Sequence, residues 1–234
     1  MKHKKKPMPV YDIKHYDKEY FAERDFVPDY LVDALIRYLR RHNVKKILEV
    51  GVGSGKLMRM LQKSGFTVEG IDISPVSAKL TGAKVASATK IPFPANTFDA
   101  VIAISLIEHL HEKDGKTFLN ETSRVLKDFG IVFMVTPNFA SPLRVLKGKN
   151  WFGYGDSTHV FFYTPASMKR LLNSHGFGDF RFMFPVQSDS TDWPVPSFIK
   201  TSHAIVRKLV NMFFISTPVA YVRDSFWVGA IKRS

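Results

Sequence analysis

The sequence predicts an α/β protein with a seven-stranded, mostly parallel sheet, an antiparallel last strand and helices on both faces. Short apolar runs alternate with helical patterns along the chain, which is typical of parallel strands joined by helices. The first run, Ile47–Val50, breaks into a glycine-rich turn, and a helical pattern follows directly. In open α/β sheets, ligands bind at such turns, beyond the carboxyl ends of the strands.

The glycine-rich turn follows a carboxylate. Gly51 and Gly53 let the backbone turn tightly and approach a ligand closely, because neither has a Cβ. Gly55 opens a helix over 56–63, whose first backbone N–H groups point into the same crevice. The spacing G-x-G-x-G with Glu49 before it is typical of S-adenosylmethionine sites, whereas dinucleotide sites use G-x-G-x-x-G.

Asp72 stands at the end of the second predicted strand, about 20 residues past the turn. A carboxylate in this place can accept hydrogen bonds from both hydroxyls of a ribose. Both kinds of site share this feature, so it indicates a nucleoside ligand without choosing between them.

The other elements follow from apolar periodicity and from start and stop residues. Strands are predicted over 44–50, 67–71, 83–86, 98–104, 131–136, 177–184 and 226–231. Helices are predicted from residue 28 through 39, over 56–63, after Pro75, and over 113–127, 165–174 and 198–215. Pro75 and Pro165 favour helix starts, because proline lacks the N–H that a first helical turn leaves unpaired. The run 98–104 is nearly all apolar, which predicts a central strand.

Five further blocks decide between the two kinds of site: Ile91–Pro94, Thr97–Val101, Ser105–Leu110, Arg124–Gly130 and Val135–Asn138. In this order and spacing they closely resemble the class I S-adenosylmethionine-dependent methyltransferases, in the small-molecule branch that includes the ubiquinone-pathway methyltransferases. The resemblance covers roughly residues 44–184. It implies a Rossmann-like sheet and S-adenosylmethionine as the cofactor, with S-adenosylhomocysteine as its product.

The resemblance also implies which residues bind the cofactor. The residues at those positions are Glu49, Gly51, Val52, Gly53, Gly55, Asp72, Ile73, Ser87, Ala88, Thr89, Ser105, Leu106 and His109. The family usually has an aspartate at position 87, which accepts a hydrogen bond from the adenine amino group. Ser87 can still accept one hydrogen bond, more weakly. The backbone N–H of Ala88 or Thr89 could reach an adenine ring nitrogen whatever the side chain.

An aromatic and charged segment, 11–26, precedes the first predicted helix. In proteins that this chain resembles, such a segment closes over the cofactor. Tyr16 and Tyr20 are therefore candidates to lie near the methyl sulfonium, because an aromatic face suits a cation. The alternative is that both tyrosines pack the helix onto the sheet.

Two histidines are candidate catalytic bases, because an imidazole can take a phenol or alcohol proton near neutral pH. His109 follows the fourth strand, and His159 lies in the aromatic segment 138–163. Each has a structural alternative, as a hydrogen-bonding residue that holds its own loop. In ubiquinone-pathway members an acidic residue three positions before Glu108 helps to bind a divalent cation. Ser105 stands there, so we predict no metal site.

We predict a single domain over residues 1–234 with four parts. They are an N-terminal tail and cap helix (1–43), a cofactor-binding half (44–137), an aromatic insertion (138–163) and a C-terminal half (164–234). The insertion follows the fifth strand, where a substrate lid would lie. The helix 198–215 has a broad apolar face and basic residues. It is a candidate for packing on the core or on a second subunit, or for peripheral contact with an anionic membrane.

The chain has a formal net charge of +13 and no cysteine. The lack of cysteine excludes disulfides, thiolate metal sites and a cysteine nucleophile, and it fits a reducing compartment. The charge favours an anionic partner, or it reflects solubility alone. The sequence shows neither a signal peptide nor a membrane-spanning run. We therefore expect a cytoplasmic protein, or one that is peripheral to a membrane.

The sequence thus predicts methyl transfer from S-adenosylmethionine to an oxygen, or a nitrogen, of a small or lipid-linked acceptor, by a monomer or homodimer. Nucleic acid is not expected as the acceptor, since Ser105–Glu108 replaces the Asn/Asp-Pro-Pro-aromatic block of base-amino methyltransferases. One alternative is a non-catalytic binding protein of the same fold, which Ser87 favours. Another is a nucleic-acid methyltransferase, which only the charge favours. A nicotinamide-dependent dehydrogenase would need glycine where Lys56 stands.

Overall fold

The seven predicted strands form one sheet in the computed structural model, which describes residues 20, 27, 29–183 and 223–234. The strands are β1 (Lys46–Val50), β2 (Thr67–Asp72), β3 (Lys84–Val85), β4 (Phe98–Ile104), β5 (Leu126–Pro137), β6 (Phe177–Met183) and β7 (Ser225–Lys232). Their spatial order is β3-β2-β1-β4-β5-β7-β6. The first five strands pair in parallel, and β7 runs antiparallel to both β5 and β6. The predicted fold class is confirmed.

Three of the described helices begin directly after a capping side chain. The helices are α1 (Asp29–Arg41), α2 (Lys56–Lys63), α3 (Pro75–Thr81), α4 (Glu112–Val125), α5 (Pro142–Lys147) and α6 (Pro165–Ser174). Ser74, Ser141 and Thr164 each precede a proline and accept a backbone N–H of the first turn. Such N–H groups would otherwise have no partner within the helix. Within the described residues, no helix is long and apolar enough to cross a membrane.

Two apolar clusters pack on opposite faces of the sheet. Val101 and Ile102 are neighbours in β4, fully buried, and belong to different clusters because successive strand residues point to opposite faces. Phe118 of α4 packs in the cluster that contains Val101, and Leu35 of α1 packs in the cluster that contains Ile102. Helices therefore cover both faces, as the sequence predicts, and a ligand crevice belongs at the carboxyl edge of the sheet.

Two boundary predictions after β4 were wrong. The fourth helix ends at Val125, and β5 begins at Leu126 rather than at Ile131. Leu126 pairs with Phe98, and the ladder shifts register before Ile131 pairs with Ala100. The strand therefore starts through an irregular stretch, which apolar periodicity does not reveal.

No helix was predicted within the insertion, but it contains α5 and the two short 3₁₀ helices Gly148–Asn150 and Phe152–Tyr154. Ser141 and Pro142 supply the start signals for α5. The predictions for residues 1–19, including Tyr16, and for the helix 198–215 lie outside the described residues.

Candidate active site

A cavity of about 700 Å³ opens beyond the carboxyl ends of β1, β2 and β4. The predicted site residues that line it are Tyr20, Glu49, Gly51, Val52, Gly53, Asp72, Ile73, Ser87, Ala88, Ser105, Leu106, His109 and His159. Gly55 and Thr89 are not among the lining residues. The structure thus brings most of the predicted cofactor-binding and catalytic residues into one cavity.

The glycine-rich turn adopts a backbone that residues with a Cβ rarely adopt. Gly51, Gly53 and Gly55 have φ angles of 79°, 56° and 79°. A Cβ on Gly51 would lie 3.1 Å from Leu106 Cδ1 in the cavity wall, and one on Gly55 would lie 2.5 Å from Thr81 Cγ2. Gly51 therefore keeps the cavity open, whereas Gly55 lets the start of α2 approach α3 behind it.

Two backbone N–H groups hold the Asp72 carboxylate at the cavity edge. Gly53 N–H donates to one oxygen at 2.9 Å, and Ser74 N–H donates to the other at 2.8 Å. The Ser77 hydroxyl donates to the carbonyl of Gly53 at 2.6 Å, which fixes the turn itself. Each carboxylate oxygen has two lone pairs. Asp72 therefore retains acceptor capacity for two ribose hydroxyls.

Glu49 provides a test of whether the cavity fits S-adenosylmethionine. Its Oε2 is buried and has no hydrogen-bond partner among the described residues. Burial and the neighbouring Asp72 carboxylate raise the pKa of Glu49 to about 8, while Arg59 opposes the shift. A buried carboxylate without a donor favours a cationic partner, and the methionyl part of S-adenosylmethionine carries an ammonium group. Together with Asp72 as the ribose acceptor, the residues present fit this cofactor.

The loop after β3 closes on itself. Ser87 Oγ accepts a hydrogen bond from Thr89 N–H at 3.2 Å and lies 2.8 Å from the Thr89 hydroxyl oxygen. Thr89 therefore hydrogen-bonds within the loop, while Ser87 and Ala88 line the cavity. That Ser87 or the Ala88 N–H contacts adenine stays a prediction.

His109 and His159 lie side by side in the cavity wall. Their rings meet edge to face, with centroids 4.7 Å apart. His109 belongs to the 3₁₀ helix Ile107–His109, which Ser105 precedes with a φ of 49°. One nitrogen of each ring and a Glu108 carboxylate oxygen all lie within 4.8 Å of one another, a spacing that a cation could share. The absence of a metal site therefore stays a prediction.

Glu108 ties the two histidine-bearing loops together from a buried position. Its backbone carbonyl accepts hydrogen bonds from Val160 N–H and Phe161 N–H. Its Oε2 accepts a hydrogen bond from the Thr136 hydroxyl at 3.0 Å. Burial raises the pKa of Glu108 to about 8, by more than its hydrogen bonds lower it. The insertion is thus pinned to the backbone next to His109.

Sequence reasoning assigned no role to Asp156, which the structure places in the cavity wall. Asp156 accepts hydrogen bonds from the hydroxyl and the backbone N–H of Thr158, and the Tyr20 hydroxyl lies 3.4 Å from its other oxygen. Burial alone would raise the pKa of Asp156, but the Thr158 hydrogen bonds and the neighbouring His109 and His159 lower it to about 2. The sequence signal is Asp-Ser-Thr-His, because an aspartate readily bonds the backbone two residues on.

The insertion presents an apolar surface beside the cavity. This surface, the insertion patch, consists of the exposed side chains of Val145, Leu146, Phe152 and Tyr154. Leu146 is 80 % exposed and Val145 is 72 % exposed, while Phe152 also lines the cavity. Between residues 140 and 155 the chain has three basic residues and no acidic one. The patch is therefore apolar and lies in a positively charged segment.

Trp151 anchors the insertion from beneath. It is fully buried, and its Nε1–H donates to Asp224 Oδ1 at 2.8 Å. Lys147 pairs with the other oxygen of the same carboxylate. A Cβ on Gly153 would lie 2.2 Å from the indole ring, so the chain passes over Trp151 where a larger residue does not fit. The insertion patch is thus built on a packed support.

The sheet order and the glycine-rich turn are those of a class I methyltransferase fold, and the carboxylates of Glu49 and Asp72 lie at the crevice beyond the strand ends. Residues 20–179 match the model of a family described as a methyltransferase domain. The chain belongs to this family, the class I S-adenosylmethionine-dependent methyltransferases. S-adenosylmethionine is the cofactor of the family, and the carboxylates described above fit it.

Relatives with assigned names include quinone-pathway methyltransferases. The chain is 26% identical over 144 residues to a ubiquinone biosynthesis O-methyltransferase of Bartonella bacilliformis, covering 54% of this chain and 57% of that one. It is 31% identical over 157 residues to the mitochondrial ubiquinone biosynthesis O-methyltransferase of Homo sapiens, covering 56% and 41%. The chain thus spans about half the length of these relatives.

Solved structures share the fold. A S-adenosylmethionine-dependent methyltransferase from Archaeoglobus fulgidus aligns with a TM-score of 0.64 at 19% identity, covering 92% of this chain and 100% of that one. At this identity the likeness concerns the fold alone.

Proposed function

We propose that this protein transfers a methyl group from S-adenosylmethionine to an oxygen of a small or lipid-linked acceptor. The observation that carries the proposal is that His109 and His159 line the same cavity as the glycine-rich turn and Asp72. A proton acceptor therefore stands within the space that holds the cofactor. An oxygen nucleophile needs such a group, because its proton must be removed or masked as it reacts.

When bound, S-adenosylmethionine supplies a methyl group already activated on a sulfonium. The protein's part is to bind, orient and exclude water. Asp72 would accept hydrogen bonds from the ribose hydroxyls, and Glu49 would pair with the methionyl ammonium. Tyr20 and the insertion both line the cavity, and the hydroxyl of Tyr20 lies 3.4 Å from Asp156 of the insertion. His109 and His159 are the candidate proton acceptors.

The acceptor is an apolar molecule with a phenolic or alcoholic oxygen. Two observations support this class. The relatives are named for ubiquinone biosynthesis and for O-methylation, and the insertion patch offers apolar side chains in a basic segment beside the cavity, which Phe152 also lines. Such a surface suits contact with an anionic membrane that presents a lipid-linked substrate. Nitrogen is the alternative acceptor atom.

The test is an acceptor panel with methyl-labelled S-adenosylmethionine. The probes are a short-chain alkyl catechol, the matching alkylaniline and total RNA. We expect label in the catechol, as a methyl ether. Label in the aniline alone would move the function to N-methylation, and label in the RNA would favour a nucleic-acid methyltransferase. Cofactor binding without label in any probe would favour a non-catalytic binding protein.

A further inference from the structure

Thr158 connects two groups of the cavity wall, the Asp156 carboxylate and the His109 imidazole. Its Oγ1 lies 2.5 Å from Asp156 Oδ1 and 2.8 Å from His109 Nδ1. Its backbone N–H also donates to Asp156 Oδ1, at 2.9 Å. A hydroxyl has one hydrogen, so it can donate to only one of its two neighbours.

The hydrogen count fixes the direction of both bonds. An ionised carboxylate can only accept, and Asp156 is ionised near neutral pH because its pKa is about 2. An O···O distance of 2.5 Å is that of a charge-assisted O–H···O⁻ bond, so the Thr158 hydrogen points to Asp156. Thr158 Oγ1 then offers His109 only lone pairs. His109 Nδ1 must therefore carry the hydrogen that Thr158 accepts.

We propose that Asp156 and Thr158 are positioning residues that hold His109 in its Nδ1–H tautomer, with Nε2 as the proton acceptor of the reaction. In a neutral imidazole with hydrogen on Nδ1, the basic lone pair is on Nε2. Nε2 takes the hydrogen of the acceptor's O–H group as a proton, and the oxygen keeps the electron pair of that bond. Asp156, through Thr158, also stabilises the imidazolium that forms. The catalytic part of the proposal rests on the proposed oxygen acceptor; the tautomer does not.

His159 provides an internal comparison. Its Nδ1 lies 2.7 Å from the carbonyl oxygen of Gly153, which can only accept, so His159 also carries hydrogen on Nδ1. The partner is a neutral carbonyl, however, and Thr158 is not involved. A change at Thr158 should therefore alter the tautomer of His109 and leave that of His159 as it is.

The experiment is long-range ¹H–¹⁵N correlation of the imidazole rings in metal-free protein labelled with ¹⁵N-histidine. Signals are assigned with His109→Gln and His159→Gln. We expect wild-type His109 to show a protonated Nδ1 and an unprotonated Nε2. Thr158→Val keeps the shape and removes the hydroxyl, so the Nε2–H form of His109 should appear. Thr158→Ser should retain the wild-type tautomer, and His159 should stay unchanged in both variants.

The kinetic readout is the methylation of the alkyl catechol by the same variants. Thr158→Val should lower kcat by about 10- to 100-fold, because it removes a hydrogen bond to the imidazolium, with the Kd for S-adenosylhomocysteine within about twofold of wild type, and Thr158→Ser should restore kcat. A wild-type His109 protonated on Nε2 would overturn the proposal. So would a Thr158→Val variant whose tautomer changes while kcat does not. A wild type with the expected tautomer that methylates none of the probes would contradict the proposed function and the proton-accepting role, but not the hydrogen-bond assignment.

Discussion

The buried carboxyl group of Glu49 predicts that cofactor binding releases a proton. Burial and Asp72 raise its pKa to about 8, so at pH 7 about nine in ten Glu49 side chains are protonated. An ammonium against Oε2 favours the carboxylate, so the ligand displaces this proton as it binds. We expect release of most of one proton per S-adenosylhomocysteine at pH 7. The Kd should fall about tenfold between pH 6 and pH 7, a range in which the amino group of the ligand stays protonated.

The assay is calorimetric titration at pH 7 in two buffers with different ionisation enthalpies, because the difference in observed heat counts the protons released. Glu49→Gln should abolish the release and weaken binding by about 10- to 100-fold, since it removes a hydrogen bond between charged groups. Glu69→Gln is the matched control, because Glu69 lies on the neighbouring strand and does not line the cavity. A wild-type enthalpy that does not depend on the buffer would refute this account of Glu49.

Three further predictions concern the adenine loop, the insertion and its patch. Ser87→Asp should tighten S-adenosylhomocysteine binding by about three- to tenfold, because a carboxylate accepts a stronger hydrogen bond from the adenine amino group; unchanged or weaker binding in calorimetry would show that position 87 does not face that group. Gly153→Ala should lower the melting temperature by several degrees, because its Cβ would lie 2.2 Å from the Trp151 ring; a wild-type melting curve in calorimetry would contradict the packing described. Leu146→Ser should reduce co-sedimentation with vesicles containing phosphatidylglycerol, whereas Phe129→Ser, at an exposed site outside the insertion, should not; equal loss in both variants would argue against the insertion patch as a membrane contact.

Much of the fold could be predicted because the local signals agree with the tertiary structure. The helix after the turn and the strand β4 were predicted with the bounds that the structure shows. Pro165 predicted the start of α6, because the preference of proline for the first turn of a helix acts locally. The start of β5 at Leu126 was missed, because the shift of register against Phe98 is a property of the paired strand and not of its own sequence.

Some residues of the candidate site were likewise predictable from local sequence, and others depend on tertiary contacts. Asp72 was predictable, because the turn and the strand end place it by topology. Asp156 was not, because its importance depends on Thr158 meeting His109, a contact between residues far apart in the chain. Gly55 was predicted to bind the cofactor; it is not among the cavity-lining residues, and a Cβ there would lie 2.5 Å from Thr81 of α3, so its contact with the cofactor stays a prediction. Sequence patterns indicate which residues flank a crevice, but the hydrogen-bond partners of those residues can be identified only from the three-dimensional structure.

The most direct test of the account is methyl transfer from labelled S-adenosylmethionine to the alkyl catechol by wild type, Asp72→Asn and Asp128→Asn. Asp72 lies at the cavity edge, whereas Asp128 is exposed and pairs with Lys232. We predict a labelled methyl ether with the wild type and with Asp128→Asn, and at least about tenfold less with Asp72→Asn, because an amide oxygen accepts hydrogen bonds more weakly than a carboxylate. Equal transfer by all three proteins would contradict the placement of the cofactor in this crevice.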